Sequence, residues 1–219
     1  MRICFITPVP PLRGGISTSS KILINHLHNK NIDLSVISFS KLYPKFFFPG
    51  KTQYNKDNQK NNKMFSPRIM LDSTNPISWI KTVNYILEYN PKILLIRYWN
   101  PFFCLCLGYI ARKIKQKNKN IKVIVLCDNI FSHEKYPIPK IIYNFFFRYV
   151  DKFILISKYI VNDLKKIVRE PDYVTLFHPI YDNYDHAISK QIAKKKLNIT
   201  SKKIVLFFGL IRKYKGFEI

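Results

Sequence analysis

The strongest constraint on this chain is a repeated alternation. Short apolar runs recur between segments of helix length. The runs are RICFIT (residues 2–7), DLSVISF (33–39), KILLIRY (92–98), KVIVLC (Lys122–Cys127), KFILIS (152–157) and DYVTLF (172–177). Most are nearly continuous in hydrophobicity, as strands buried on both faces must be. The intervening segments are long enough for crossover helices. The pattern predicts an α/β chain with a parallel sheet covered by helices on both faces.

The connecting segments carry helix signals of unequal quality. Residues 16–28 place Ile16, Ile22, Ile24 and Leu27 only loosely on one face. Asn75-Pro76 opens a helix to residue 88, with Trp79, Val83, Ile86 and Leu87 on one side. Further helices are expected over 101–116, 139–149, 158–168 and 189–197. Residues 40–68, with KFFFPGKTQYNKDNQKNNKMFSPR, read as a long exposed loop. Residues 203–209, KIVLFFG, read as a fresh strand. These boundaries divide the chain into a domain over 1–178, a connection over 179–202 and the start of a second domain over 203–219.

Composition narrows the partners. Apolar residues make up 47% of the chain, enough for a packed core. Lysine and arginine total 37 against 13 acids, a formal charge of +24. An AT-rich coding bias would favour Lys, Asn, Ile, Phe and Tyr together, but it would also supply the acids that are scarce here. A positive field implies acidic partners: phosphates, anionic lipid or nucleic acid. No RNA- or DNA-binding motif is present, and the aromatics fall in core-like runs, so a nucleic-acid partner is not expected. The four cysteines have no zinc or redox spacing. They read as buried reduced thiols of a cytoplasmic protein, and no metal is expected. MRICFITPVPPLRGG has no signal-peptide pattern, and FFCLCLGYIA (residues 102–111) is too short to span a bilayer.

Three loops that follow strands carry the candidate chemistry, because ligands bind at the carboxyl ends of open parallel sheets. The first is RGGI, with Gly14 and Gly15 opening a helix. Glycines let the backbone approach an anion, and a helix N-terminus offers free N–H groups. The spacing lacks G-x-G-x-x-G, which argues against a dinucleotide oxidoreductase; a plain tight turn is the alternative. The second is CDNIFSHE, where Asp128, His133 and Glu134 can move protons or orient a substrate, and where a satisfied solvated loop is the alternative. The third is FFGLIRKYKG, whose Arg212 and Lys215 could converge on a diphosphate or form a basic turn.

Taken together, RGGI, VLCDNIFSHE, LISKYIVNDL, TLFHPIYDNY and LFFGLIRKYKG resemble glycosyltransferase family 4, whose GT-B fold faces two Rossmann-like domains across a cleft. The resemblance runs over essentially the whole chain and implies an N-terminal half plus the start of a donor-binding domain. It implies that Gly14, Gly15, Arg212 and Lys215 meet the donor diphosphate. Asp128 and His133 would then be catalytic, and Asn129 and Glu134 would meet the acceptor. The chain departs from the family in three ways. Leu210 stands where an arginine is usual, with Arg212 as the substitute. Asp128 stands where a histidine is frequent. The family's paired glutamates of the donor domain are absent.

The implied reaction is retaining sugar transfer from a nucleotide-diphosphate sugar to an acceptor hydroxyl, without metal or cofactor, in cell-surface polysaccharide or glycolipid synthesis. A glycan or lipid-linked molecule would be the acceptor, and a separate chain could supply the C-terminal domain. Residues 1–219 alone are expected to turn over little. Lysines of residues 40–68 beside Phe46, Phe47 and Phe48 suggest docking on an anionic membrane at its inner face, with a plain solvated loop as the alternative. The competing reading is a truncated, non-catalytic basic module that binds lipid or a partner.

Overall fold

The structure is a computed structural model that describes residues 1–44, 52–54, 65–132, 138–178 and 186–207. The chain divides into two units, Met1–Pro179 and Ile180–Ile219.

The first unit is built on seven parallel strands: β1 (Arg2–Ile6), β2 (Asp33–Lys41), β3 (Arg68–Asp72), β4 (Ile93–Tyr98), β5 (Lys122–Cys127), β6 (Lys152–Leu155) and β7 (Tyr173–Thr175). Their order across the sheet is β3-β2-β1-β4-β5-β6-β7. Every pairing is parallel. The order runs outward in both directions from β1 and β4, so the topological switch point lies between those two strands. Connections leaving them diverge there and open a crevice at the carboxyl edge.

The helices are α1 (Gly15–Asn29), α2 (Pro76–Tyr89), α3 (Cys104–Lys117), α4 (Lys140–Phe147) and α5 (Lys158–Lys165). They cover both faces of the sheet, and strand alternation shows how. Ile3, Phe5, Val36 and Leu95 point to one face and pack with Ile24 of α1. Cys4, Ile6, Ile37, Leu94, Ile96, Val123, Val125, Phe153 and Leu155 point to the other. They pack with Val83 and Ile86 of α2, Leu107, Ile110 and Ile114 of α3, Phe146 of α4 and Leu164 of α5. This division follows from the two-residue period of a strand. Desolvation raises all four cysteine thiols, Cys104 to about 12, and all four are free and buried.

In the first unit, two sequence expectations need correction. Strand β3 falls in a stretch read as loop and loop-to-helix connection. Only Leu71 of its five residues is fully buried, so its pattern is too short to register as a strand. In addition, the loop expected over 40–68 is not simply exposed. Leu42 is buried, and the Gln53 side chain accepts from the amides of Leu42 (3.2 Å) and Tyr43 (3.1 Å) and donates to Tyr43 O at 2.7 Å.

In the second unit, the described residues form α6 (Lys190–Lys196), capped by Ser189, whose hydroxyl accepts from Ile192 N. None of its residues is buried. Of the strand expected over 203–209, residues 203–206 form no ladder among the described residues, and Val205 is 99% exposed. Hydrophobicity makes a strand only where a neighbour accepts its hydrogen bonds.

Candidate functional site

The carboxyl edge around the switch point is assembled from three segments. The first follows β1. Thr7 continues the ladder by donating its N–H to Ile37 O at 3.0 Å, and the chain then turns through Val9 and Leu12, both buried. The turn is braced from residues 52–54: Arg13 N–H donates to Gln53 O at 2.8 Å, and Leu12 bridges Tyr54. Gly14 then adopts φ +118°, a conformation that a side chain would strain.

Helix α1 starts at Gly15 with no side-chain cap. Its first internal bond runs from Thr18 N–H to Gly14 O, so the preceding amides lack helical acceptors. A Cβ at Gly14 or Gly15 would meet no atom of the described residues within 4 Å. Among the described residues the space before the helix end is therefore open, and their packing does not require glycine at position 15. Ser17, in the same turn, is buried, and its hydroxyl has no hydrogen-bond partner among the described residues.

The second segment is the end of β4. Tyr98 is fully buried and donates its hydroxyl to Ile130 O at 3.0 Å. Burial, then the neighbouring Cys104, holds its phenol well above the usual range. Beyond it, Trp99 Nε1 donates to Tyr43 OH at 3.1 Å, and Phe39, Tyr43, Trp99 and Phe103 form an aromatic cluster.

The third segment follows β5. Asp128 N–H donates to Tyr98 O at 2.9 Å, which with the Tyr98 hydroxyl bond pins residues 128–130 to β4. The Asp128 carboxylate is gripped by Arg97. Arg97 Nε donates to Oδ2 at 2.7 Å and Nη2 to Oδ1 at 2.7 Å. The two side chains are only 4% and 10% exposed. Arg97 Nη1 reaches the other way, to Ser20 Oγ at 3.0 Å and to Ile16 O at 3.5 Å, both on α1. Ser20 Oγ in turn lies 2.6 Å from Thr7 Oγ1.

The glycine loop and Asp128 thus stand on one edge of one sheet, connected through a single guanidinium. Asn129 is half-buried beside them. Of the other site residues expected from sequence, His133, Glu134, Arg212 and Lys215 lie outside the described residues. Sequence reading missed Arg97 altogether. Its signal was present: a lone cation at the carboxyl end of an apolar run, where a buried charge requires a partner.

No family model and no curated protein matches the chain. Among solved structures, a sucrose-phosphate synthase from Thermosynechococcus elongatus is similar over 90% of this chain and 53% of its own, at 12% identity and a TM-score of 0.59. An alpha-glucosyltransferase in complex with UDP and a 13-mer DNA containing a central A:G mismatch aligns over 72% of this chain and 37% of its own. Its identity is 13% and its TM-score 0.44. The alpha-glucosyltransferase in complex with UDP and a 13-mer DNA containing a HMU base aligns over 80% and 41%, at 12% identity and a TM-score of 0.49. The chain therefore spans about half the length of the synthase and less of the other two. Its architecture is a parallel sheet flanked by helices on both faces, matching the Rossmann-like N-terminal domain of the GT-B glycosyltransferase fold.

Proposed function

We propose that this chain forms the acceptor-side half of a retaining glycosyltransferase of the family 4 type. It would take part in sugar transfer from a nucleotide-diphosphate donor to a hydroxyl of a glycan or lipid-linked acceptor. The pathway class is cell-surface polysaccharide or glycolipid synthesis, at the inner face of a membrane.

In this reading the Gly14 and Gly15 backbone and the free end of α1 approach the donor diphosphate. Negative charge develops on the diphosphate as the sugar departs, and preset amide donors and cations stabilise it without reorganising. Asn129 and Glu134 meet the acceptor, and His133 orients or moves a proton. Asp128, with both oxygens engaged by Arg97, acts as an orienting group. The segment at residues 52–54, packed against the glycine loop, helps to shape the pocket.

The observation that supports this reading is the common edge. Gly14 at positive φ, open space before α1 and the Asp128 segment flank the one switch point of the sheet. That is where parallel α/β sheets take phosphorylated ligands. An amide NMR titration of the labelled chain with inorganic pyrophosphate and with UDP-, GDP- and ADP-glucose tests it. Shifts at Gly14, Gly15 and Ile16 are the expected result. Shifts confined to the opposite, amino edge, or none at millimolar ligand, would overturn the assignment.

A further inference from the structure

We propose that Arg97 is the positioning residue of this edge: its guanidinium fixes the first turn of α1 against the segment 128–130. The inference deepens the reading above and rests on it only for its second readout.

The sheet itself does not set where α1 begins. Seven residues, three of them prolines, separate Ile6 from Gly14, and the helix has no side-chain cap. What ties its first turns to the carboxyl edge is Arg97. One flat group sends Nε and Nη2 to Asp128 and Nη1 to Ile16 O and Ser20 Oγ. Thr7 completes the lock by sharing the Ser20 hydroxyl. Only arginine can hold these directions at once; a lysine ammonium offers a point charge on a flexible stem. The pair also settles the electrostatics. An unpaired carboxylate at position 128 would repel an anion at the edge, and the guanidinium cancels it.

A buried ion pair is weak evidence for stability, because an apolar pair of similar volume often does as well. A positioning role is therefore separable from a structural one. The segment 128–130 keeps its own anchors, the Asp128 N–H to Tyr98 O bond and the Tyr98 hydroxyl to Ile130 O bond. Loss of the ion pair should free α1 while leaving 128–130 in place.

The test compares the wild-type chain with the double variant Arg97→Met/Asp128→Leu and with Arg97→Lys, which keeps the charge but not the fork. In both, amide hydrogen exchange at residues 18–21 should accelerate by about tenfold or more, the effect of losing a hydrogen bond to a charged group. Exchange at residues 128–130 should stay near wild type, and the double variant should melt close to wild type. Its affinity for inorganic pyrophosphate should fall about tenfold, a loss of order 1.4 kcal/mol. If the double variant does not fold, Arg97→Lys carries the comparison. Wild-type exchange at residues 18–21 in the variants overturns the positioning role. If the wild-type chain itself binds no pyrophosphate, the donor reading fails, and exchange alone decides the role of Arg97.

Discussion

Asp33 and Asp128 show how differently one residue type behaves in two settings. Asp33 begins β2 at the amino edge, where Tyr89 OH donates to Oδ1 at 2.6 Å and Arg2 Nε to Oδ2 at 2.9 Å. The Tyr89 bond, then the Arg2 bond, lowers its pKa below the ordinary 3.8. Its carboxylate is exposed, so solvent screens the interaction. The sign is fixed nonetheless. The stability it contributes is full above the ordinary carboxylate value and is lost as pH falls through the depressed native value. Urea unfolding of wild type and Asp33→Asn should therefore differ at neutral pH and converge in strong acid; a constant difference would refute the linkage. Asp128, by contrast, is desolvated and bidentate to Arg97, which makes it a fixed part of the scaffold. Its position after β5 was legible from sequence. Its partner was not, because Arg97 lies 31 residues away and meets it only through the β4–β5 pairing.

At the scale of elements, the helices with side-chain caps were the easiest to place. Asn75 Oδ1 accepts from Ile77 N at 3.0 Å with Pro76 in the first turn, and Asn90 closes α2 at φ 48°. Ser157 opens α5 in the same way. Helix α1 had weak periodicity because its sheet-facing side includes Ser17 and Ser20 beside Ile24, polar residues that serve the edge. Packing between elements sets a constraint that no pattern shows. Gly108 of α3 faces α4 so closely that a Cβ there would lie 2.7 Å from Phe145 Cδ1 and 3.1 Å from Phe146 Cα. Gly108→Val should destabilise the domain by roughly 1–3 kcal/mol through overpacking, seen as a lower urea midpoint at unchanged slope. An unchanged midpoint would show that the α3–α4 contact is loose. Strand β3 and residues 203–206 make the complementary point. One is mostly unburied yet paired, and the other is largely apolar yet forms no ladder among the described residues.

For the whole molecule, the charge of +24 is the dominant long-range property. Among the described residues, the surface carries exposed cations such as Lys195 and Lys196 at the end of α6. No helix among them is long and apolar enough to cross a membrane. A peripheral role is thus an electrostatic proposal with an electrostatic signature. The chain should co-sediment with phosphatidylglycerol vesicles at low ionic strength, release with added salt, and ignore phosphatidylcholine vesicles. Equal, negligible binding to both would end that part of the proposal. The lysines and phenylalanines of residues 45–51 and 55–64, on which the sequence argument for docking rested, lie outside the described residues.

The order of apolar runs and helix-length spacers determined by itself that this chain forms a parallel sheet with helices on both faces. Apart from β3, which the sequence pattern did not mark, each strand's signal lies within its own residues. The glycine loop and the Asp128 loop were likewise readable as segments that follow strands. Only the tertiary structure decided what they meet: Arg97 joining α1 to Asp128, and Gln53 bracing the loop before Gly14. Those contacts depend on strand order and register, which bring together residues that no local period relates.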